Sequence, residues 1–383
     1  MCDAMDGIGN ASSVHMEGRR LRSLIEAARE EVAALVGADP SEVVFTSGAT
    51  EGNVSALRSG FDRAYRPATE HDSVLAPLAA SGCRVIDIPV DRDGVVDVGA
   101  FADCLRDGRE RDTGDGSATV VAIQLANNET GVIQPVADLA ALAREYGAHL
   151  HCDAVQAPGR IPVEIEALGA DTLVISAHKL GGPKGIGAMV IRDGISVPPL
   201  LSGGGQERRR RAGTENVPAI AGFGAAAHRA RTILSEAGRI AELRDRLEAG
   251  IRARTSEAVV FGEGAPRLPN TSAIAVAGRT AELMVIKLDL AGFAVSAGAA
   301  CSSGKVGTSH VLLAMRVDPA LARGAIRVSL GPENTTDDVD GFLAAWGEII
   351  KGDLRSNPAD RSSAIEERIL TSRGATLSAA SGG

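Results

Sequence analysis

No stretch of the sequence approaches the roughly 18 consecutive apolar residues that a bilayer-spanning helix requires. The opening segment MCDAMDGIGN has no basic region followed by an apolar run, so neither membrane insertion nor export is expected. Cysteine is scarce: Cys2, Cys83, Cys104, Cys152 and Cys301 form an odd set with no CxxC pair, which argues against a disulfide framework and against a zinc ribbon. A reducing cytoplasm suits such a chain. Basic charge is in deficit, with 40 Lys and Arg against 49 Asp and Glu and a formal net charge of -9. That balance argues against a nucleic-acid backbone or an anionic membrane as the main partner and favours small substrates or other proteins. No internal repeat is found.

What is present is a 383-residue chain, 44% hydrophobic and 23% charged, able to bury a large core in one big or two moderate domains. Leu21, Leu24, Ile25, Ala28, Val32 and Leu35 recur at helical spacing ahead of Gly37, which predicts an amphipathic helix from Glu17 to Val36. Short β-branched runs then alternate with helical patterns. Val43 to Thr46, Arg84 to Ile88, Thr119 to Gln124, Asp171 to Ser176 and Ala188 to Ile191 read as strands, with a helix such as Val136 to Tyr146 between. That alternation predicts an α/β fold on a mainly parallel sheet. From Asn216 to Arg254 the pattern is helical and charged. After it, strands at Ser272 to Ala277 and Ala325 to Ser329 alternate with helices at Ala281 to Ala291 and Thr335 to Ile350. The expected division is a large domain over 1–234, a smaller α+β domain over 235–350, and a polar, disordered tail over 351–383.

Four segments have the residue types that chemistry needs. In SAHKLGGPKGIGAMV, residues 176–190, a lysine follows a predicted strand inside a Gly-rich turn, at the strand end where α/β sheets place ligands. Lys179 is the candidate for Schiff-base chemistry, with Lys184 its rival and a solvated turn lysine the plain alternative. HLHCDAVQ, residues 149–156, ends a strand in Asp153 and places Gln156 after it. Asp153 could keep a pyridinium nitrogen protonated, could join His149 and His151 as a metal cluster, or could cap a helix. TSGATEGN, residues 46–53, joins a strand to a helix through small polar residues, which suits phosphate capture by Ala49 and Thr50 as much as it suits a simple cap. VSAGAACSSGKVG, residues 295–307, sets Cys301 among Gly, Ala and Ser, a segment built for mobility, so Cys301 is either a nucleophile on a swinging loop or an inconsequential surface thiol. A strict P-loop is rejected because Val306 follows Gly304-Lys305 and Ala299 stands where the first Gly belongs. The four successive arginines in SGGGQERRRRAGTEN, residues 202–216, read as a solvated or ligand-facing loop in so acidic a chain, with Thr214 a phosphate donor.

Taken in order, SGATE, EHDSVL, NNETG, DAVQ, SAHK, PKGIGA, GGGQE, GTEN and SAGAACSSGK resemble the motifs of the cysteine desulfurases of the NifS and IscS type, a branch of the fold-type I enzymes that use pyridoxal 5'-phosphate. The match runs from about Gly9 to Leu330. The resemblance implies a large α/β/α domain with a smaller C-terminal domain bearing the cysteine loop. It assigns Lys179 to the Schiff base, Asp153 to the pyridinium nitrogen, His71 to stacking on the ring and Gln156 to the ring oxygen. Ala49, Thr50, Ser176 and His178 would hold the phosphate, joined by Thr214 from the partner subunit of a homodimer. Asn128 would meet cofactor and substrate, and Arg327 the substrate carboxylate. The implied reaction takes sulfur from L-cysteine: Lys179 removes the Cα proton, Cys301 attacks the substrate sulfur, and alanine leaves a persulfide on Cys301. A sulfur acceptor or iron–sulfur scaffold protein would then be the partner. No resident metal is expected; an iron–sulfur cluster would meet Cys301 only as cargo.

The chain departs from the family at its start, where members usually begin earlier with a strand and an Ala-Thr-Thr-Pro turn, and at Ala177, where Gly is frequent. Two other readings therefore stay open: a selenocysteine lyase or other fold-type I enzyme, and an inactive, N-terminally truncated paralogue that serves only as a binding partner.

Overall fold

The computed structural model describes residues 1–58, 60–110, 118–298 and 307–356. The β-branched runs form a 7-stranded sheet made of β1 (Val43–Thr46), β2 (Arg63–Pro67), β3 (Arg84–Ile88), β4 (Thr119–Gln124), β5 (His149–Asp153), β6 (Thr172–Ser176) and β7 (Gly187–Ile191). Its order is β1-β7-β6-β5-β4-β2-β3. β7 runs against both β1 and β6, and every other pairing is parallel. A parallel sheet must be covered on both faces, which is why β4 and β6 carry continuous apolar runs rather than an alternating pattern. β6 and β7 are buried at every position.

Helix Met16–Leu35 follows the predicted periodicity closely, and buries Ile25 and Val32 completely. It packs along helix Val217–Ile233, where a Cβ on Gly224 would come within 2.7 Å of Ala28 Cα. Their shared core extends to Phe45 and Phe223, which meet edge to face at 6.3 Å between centroids.

Beyond helix Ala237–Arg254 lies a 4-stranded sheet of β8 (Ala258–Phe261), β9 (Thr271–Val276), β10 (Ser296–Ala297) and β11 (Ile326–Ser329), in the order β10-β11-β9-β8 and antiparallel throughout. Its own apolar cluster gathers around Trp346, whose indole N–H donates to Thr255 at 3.0 Å. The last helix, Thr336–Ser356, runs past the expected start of the tail at Lys351. Val339, Phe342, Leu343, Trp346 and Ile350 keep one face buried to its final turns. Once packed, a helix adds a hydrogen bond for each further residue fixed. The remainder of the expected tail, 357–383, lies outside the described residues. No helix among the described residues is long and apolar enough to cross a membrane.

Candidate active site

β1, β2, β4, β5 and β6 point the same way, so their C-terminal ends share one edge of the sheet. Each is followed directly by a singled-out segment: TSGAT after β1, the turn to His71 after β2, the Asn127-Asn128 turn after β4, DAVQ at the end of β5 and SAHK at the end of β6. Loops at that edge can converge without disturbing the ladder beneath, which is why ligands bind there. A cavity of about 510 Å³ opens among them. It is lined by Ala49, Thr50, His71 and Asn128 together with Asp153, Gln156, Ser176, His178 and Lys179. Lys184, the rival lysine, lines it as well.

Helix Ala49–Leu57 aims its N-terminus at the cavity with Gly48 as N-cap and no side-chain cap. The backbone N–H groups of its first turn have no intrahelical acceptor, and the helix dipole adds partial positive charge. The close fit behind this cradle needs glycine. A Cβ on Gly187 would stand 2.8 Å from Gly48 Cα, and one on Gly52 would strike Val174 Cγ1 at 2.7 Å. Lys179 sits in a short 3-10 turn, Ala177–Leu180, closed by Gly181 at φ 79°. Arg160 braces that turn from behind: it donates to the carbonyl of Lys179 at 3.2 Å and to the carbonyl and side-chain oxygen of Gln156. Burial lowers the Arg160 guanidinium to about 10, with Arg327 adding repulsion.

Asp153 is nearly buried and its oxygens accept from the Asn53 amide at 2.8 Å and the Val155 N–H at 3.0 Å. Close by, burial pushes the Glu70 carboxyl well above the ordinary range, against a hydrogen bond from the Gln124 N–H, with the nearby Asp153 charge pushing the same way. Burial and the neighbouring charge both favour the protonated form of Glu70. His178 is lowered by desolvation and by Lys179 and Lys184, and its Nδ1 lies 2.8 Å from Ser176 Oγ.

Arg327 is not part of the wall. It lies just behind Asn128, donating to that residue's carbonyl at 2.8 Å and to Ser296 Oγ at 3.2 Å. Thr214 is exposed and does not line the cavity of its own chain. Cys301 lies outside the described residues. The arginine run is tied down within the chain: Arg211 pairs with Glu51 at 2.9 Å, and Arg208 and Arg210 donate to the Ser41 carbonyl. His151, once a metal candidate, has both ring nitrogens engaged at 2.8 Å, by Thr172 and Asn53. Sequence reasoning missed Ser73, Gln124 and Val155, which also line the cavity. Ser73 and Val155 lie within quoted segments, and Gln124 ends a predicted strand; the signal was adjacency to a strand end rather than residue type.

Residues 4–342 match the aminotransferase class-V family. The cysteine desulfurase of Sinorhizobium fredii is 41% identical over 366 residues, covering 92% of each chain. Cysteine desulfurase IscS of Dictyoglomus turgidum is 41% identical over 354 residues, covering 90% of this chain and 88% of that one. The chain belongs to the cysteine desulfurase branch of the class-V aminotransferases. Among solved structures, a NifS-like protein from Rickettsia africae superimposes with a TM-score of 0.82 at 34% identity, covering 91% of this chain and 94% of that one. The expected fold-type I architecture is the one observed.

Class-V enzymes of this branch use pyridoxal 5'-phosphate, and the residues present fit that group. An uncapped helix N-terminus suits its phosphate. A nearly buried carboxylate suits its ring nitrogen, and a lysine on the same cavity suits its aldehyde.

Proposed function

We propose that this chain removes sulfur from L-cysteine, releasing L-alanine and leaving a persulfide on Cys301 for a sulfur acceptor or iron–sulfur scaffold protein. The observation that carries the reading is the convergence of Lys179, Asp153 and the uncapped helix start at Ala49 on one cavity. The family and its desulfurase relatives support it over a selenocysteine lyase, an aminotransferase or an inactive paralogue.

Pyridoxal phosphate, bound through Lys179, supplies an electron sink that acidifies the Cα–H of a bound amino acid. Ala49, Thr50, Ser176 and His178 would hold its phosphate, with Thr214 of the partner subunit in a homodimer. Asp153 would keep the ring nitrogen protonated, His71 would lie against the ring and Gln156 would meet its oxygen. Asn128 and Arg327 grip the substrate carboxylate; Arg327 is already fixed against the Asn128 carbonyl. The Lys179 amine, once released, takes the Cα proton. Cys301 thiolate attacks the substrate sulfur, forming the S–S bond as the Cβ–S bond breaks. Its electron pair stays with carbon; a proton added at Cβ, and the proton that Lys179 removed returned to Cα, complete alanine. The division into domains 1–234 and 235–350 gives this reading its mechanics, since the cysteine segment belongs to the smaller unit and the cofactor to the larger. A cytoplasmic, reducing setting keeps the thiol available.

The test is release of alanine and sulfide from L-cysteine with added cofactor and a thiol reductant. The native chain should be active. Cys301→Ala should bind cofactor yet form no persulfide, and Lys179→Ala should lose both the cofactor's lysine-linked absorbance band and turnover, by a factor of roughly a thousand or more. A native chain that binds cofactor and releases no alanine would sink the desulfurase reading.

A further inference from the structure

At the cavity an unbroken polar chain joins three elements. Thr172 on β6 meets His151 Nδ1 at 2.8 Å. His151 Nε2, on β5, meets Asn53 Oδ1 at 2.8 Å. Asn53, on helix Ala49–Leu57, then branches: its Nδ2 donates to Asp153 Oδ2 and to Ser73 Oγ, each at 2.8 Å. Ser73 in turn meets His71 Nδ1 through its hydroxyl at 2.8 Å and its backbone N–H at 3.0 Å. Asn53 is 0% exposed and His151 1%, so water cannot stand in for either.

The direction of every link follows by elimination. A carboxylate oxygen cannot donate, so Asn53 must present its NH2 to Asp153. Its carbonyl then faces His151, whose Nε2 must bear the hydrogen. The neutral imidazole leaves Nδ1 as an acceptor, and Thr172 gives its hydroxyl proton there. On the other branch, Ser73 Oγ accepts from Asn53 and is left with one hydrogen to give to His71 Nδ1. Reversing any one link turns an amide oxygen toward a carboxylate or sets two donors face to face. Burial supports this by holding His151 near 3, far below its ordinary 6.5, and so uncharged.

We propose that His151 is a positioning residue that, through Asn53, orients Asp153 and His71 together. This rests on the reading of Asp153 and His71 as cofactor contacts. The His151 Nε2–H holds the Asn53 carbonyl from behind, and the amide so anchored aims the carboxylate on one branch and, by way of Ser73, the ring on the other. Partners of this kind commonly set the geometry and basicity of the groups that touch a cofactor or metal.

The experiment compares His151→Leu with His151→Gln in the full chain, reading cofactor dissociation by equilibrium dialysis and the pH midpoint of the lysine-linked absorbance band. Leucine removes both links. Glutamine keeps an N–H for Asn53 and an oxygen for Thr172. His151→Leu should weaken cofactor binding roughly tenfold or more and move the band's midpoint to higher pH, because a misaimed Asp153 no longer holds positive charge on the ring. His151→Gln should recover most of both effects. A merely structural role would lower the melting temperature without moving the midpoint. If His151→Leu does not fold, Thr172→Val carries the test, since it keeps the volume and removes only the hydroxyl that holds His151 Nδ1; it should move the midpoint the same way by less. An unmoved midpoint in the folded variant, or equal behaviour of Leu and Gln, overturns the proposal while leaving the cofactor reading intact. Absence of the band from the native chain removes that reading and the proposal with it.

Discussion

Glu70 and His151 are both deeply buried, and burial favours the uncharged form of each, with opposite consequences for stability against pH. For His151, held near 3 by burial, the unfolded chain takes up a proton that the folded one refuses. Its contribution is complete above about 6.5 and is lost as pH falls toward 3. For Glu70, raised well above the usual 4.5 chiefly by burial, the folded chain keeps a proton that the unfolded one releases. Its contribution is complete below 4.5 and declines as pH rises. Glu70→Gln keeps the shape and removes that decline. Compared with the native chain in urea unfolding, it should gain little at about pH 5 and on the order of 1 kcal/mol or more at about pH 8. A constant gap across that interval would show that Glu70 does not stay protonated.

At the scale of an element, the loop after Leu201 is the strained piece. Glu207, Arg208 and Arg209 stand in succession at φ 44°, 56° and 67°, a left-handed run that costs side-chain-bearing residues roughly 1–2 kcal/mol each. Such strain persists where the surroundings over-determine it. Here Glu207 is clamped below: Arg29 donates to its two oxygens at 2.8 and 2.9 Å, and the Phe45 N–H adds a third bond at 2.9 Å. Arg29 also lies 4.8 Å over the Phe45 ring. The clamp fixes where the following residues, up to Thr214, leave the surface. Arg29→Ala leaves Glu207 a buried charge without its partner and should cost about 3–5 kcal/mol of unfolding free energy. A loss below about 1 kcal/mol, the size typical of an exposed pair, would mean the clamp is not what holds the loop.

For the whole molecule, the exposed position of Thr214 makes a homodimer testable by complementation. With Thr214 serving the partner subunit's cavity, mixing Lys179→Ala chains with Thr214→Ala chains creates hybrids with one intact site, composed of Lys179 from one subunit and Thr214 from the other. Desulfurase activity should therefore rise on mixing above that of either variant alone, toward about a quarter of the native level when equal amounts reassort at random, since about half the dimers are then hybrids with one of two sites intact. Were Thr214 to serve its own chain, no hybrid would contain an intact site and mixing would add nothing.

Lys179, Asp153 and the TSGAT segment were legible in the sequence because each combines a reactive or phosphate-binding residue type with a strand end, and periodicity alone locates strand ends. The core helix Met16–Leu35 and ten further elements were legible from periodicity, to within a few residues at their ends except for the last helix, which continues to Ser356. β2 was not: Arg63–Pro67 reads as polar, and becomes a strand because pairing with β3 and β4 buries Ala64 and Tyr65. The raised carboxyl pKa of Glu70, the amide orientation of Asn53, and the link from His151 to both Asp153 and His71 had no sequence signal. They depend on which buried polar group faces which across residues 53, 70, 151 and 172, separations far beyond any local period. The order of the residues along the chain determined what chemistry was available and on which edge of the sheet it would gather. Only the tertiary structure decided which groups are charged and which way their hydrogen bonds run, because those follow from burial and mutual distance.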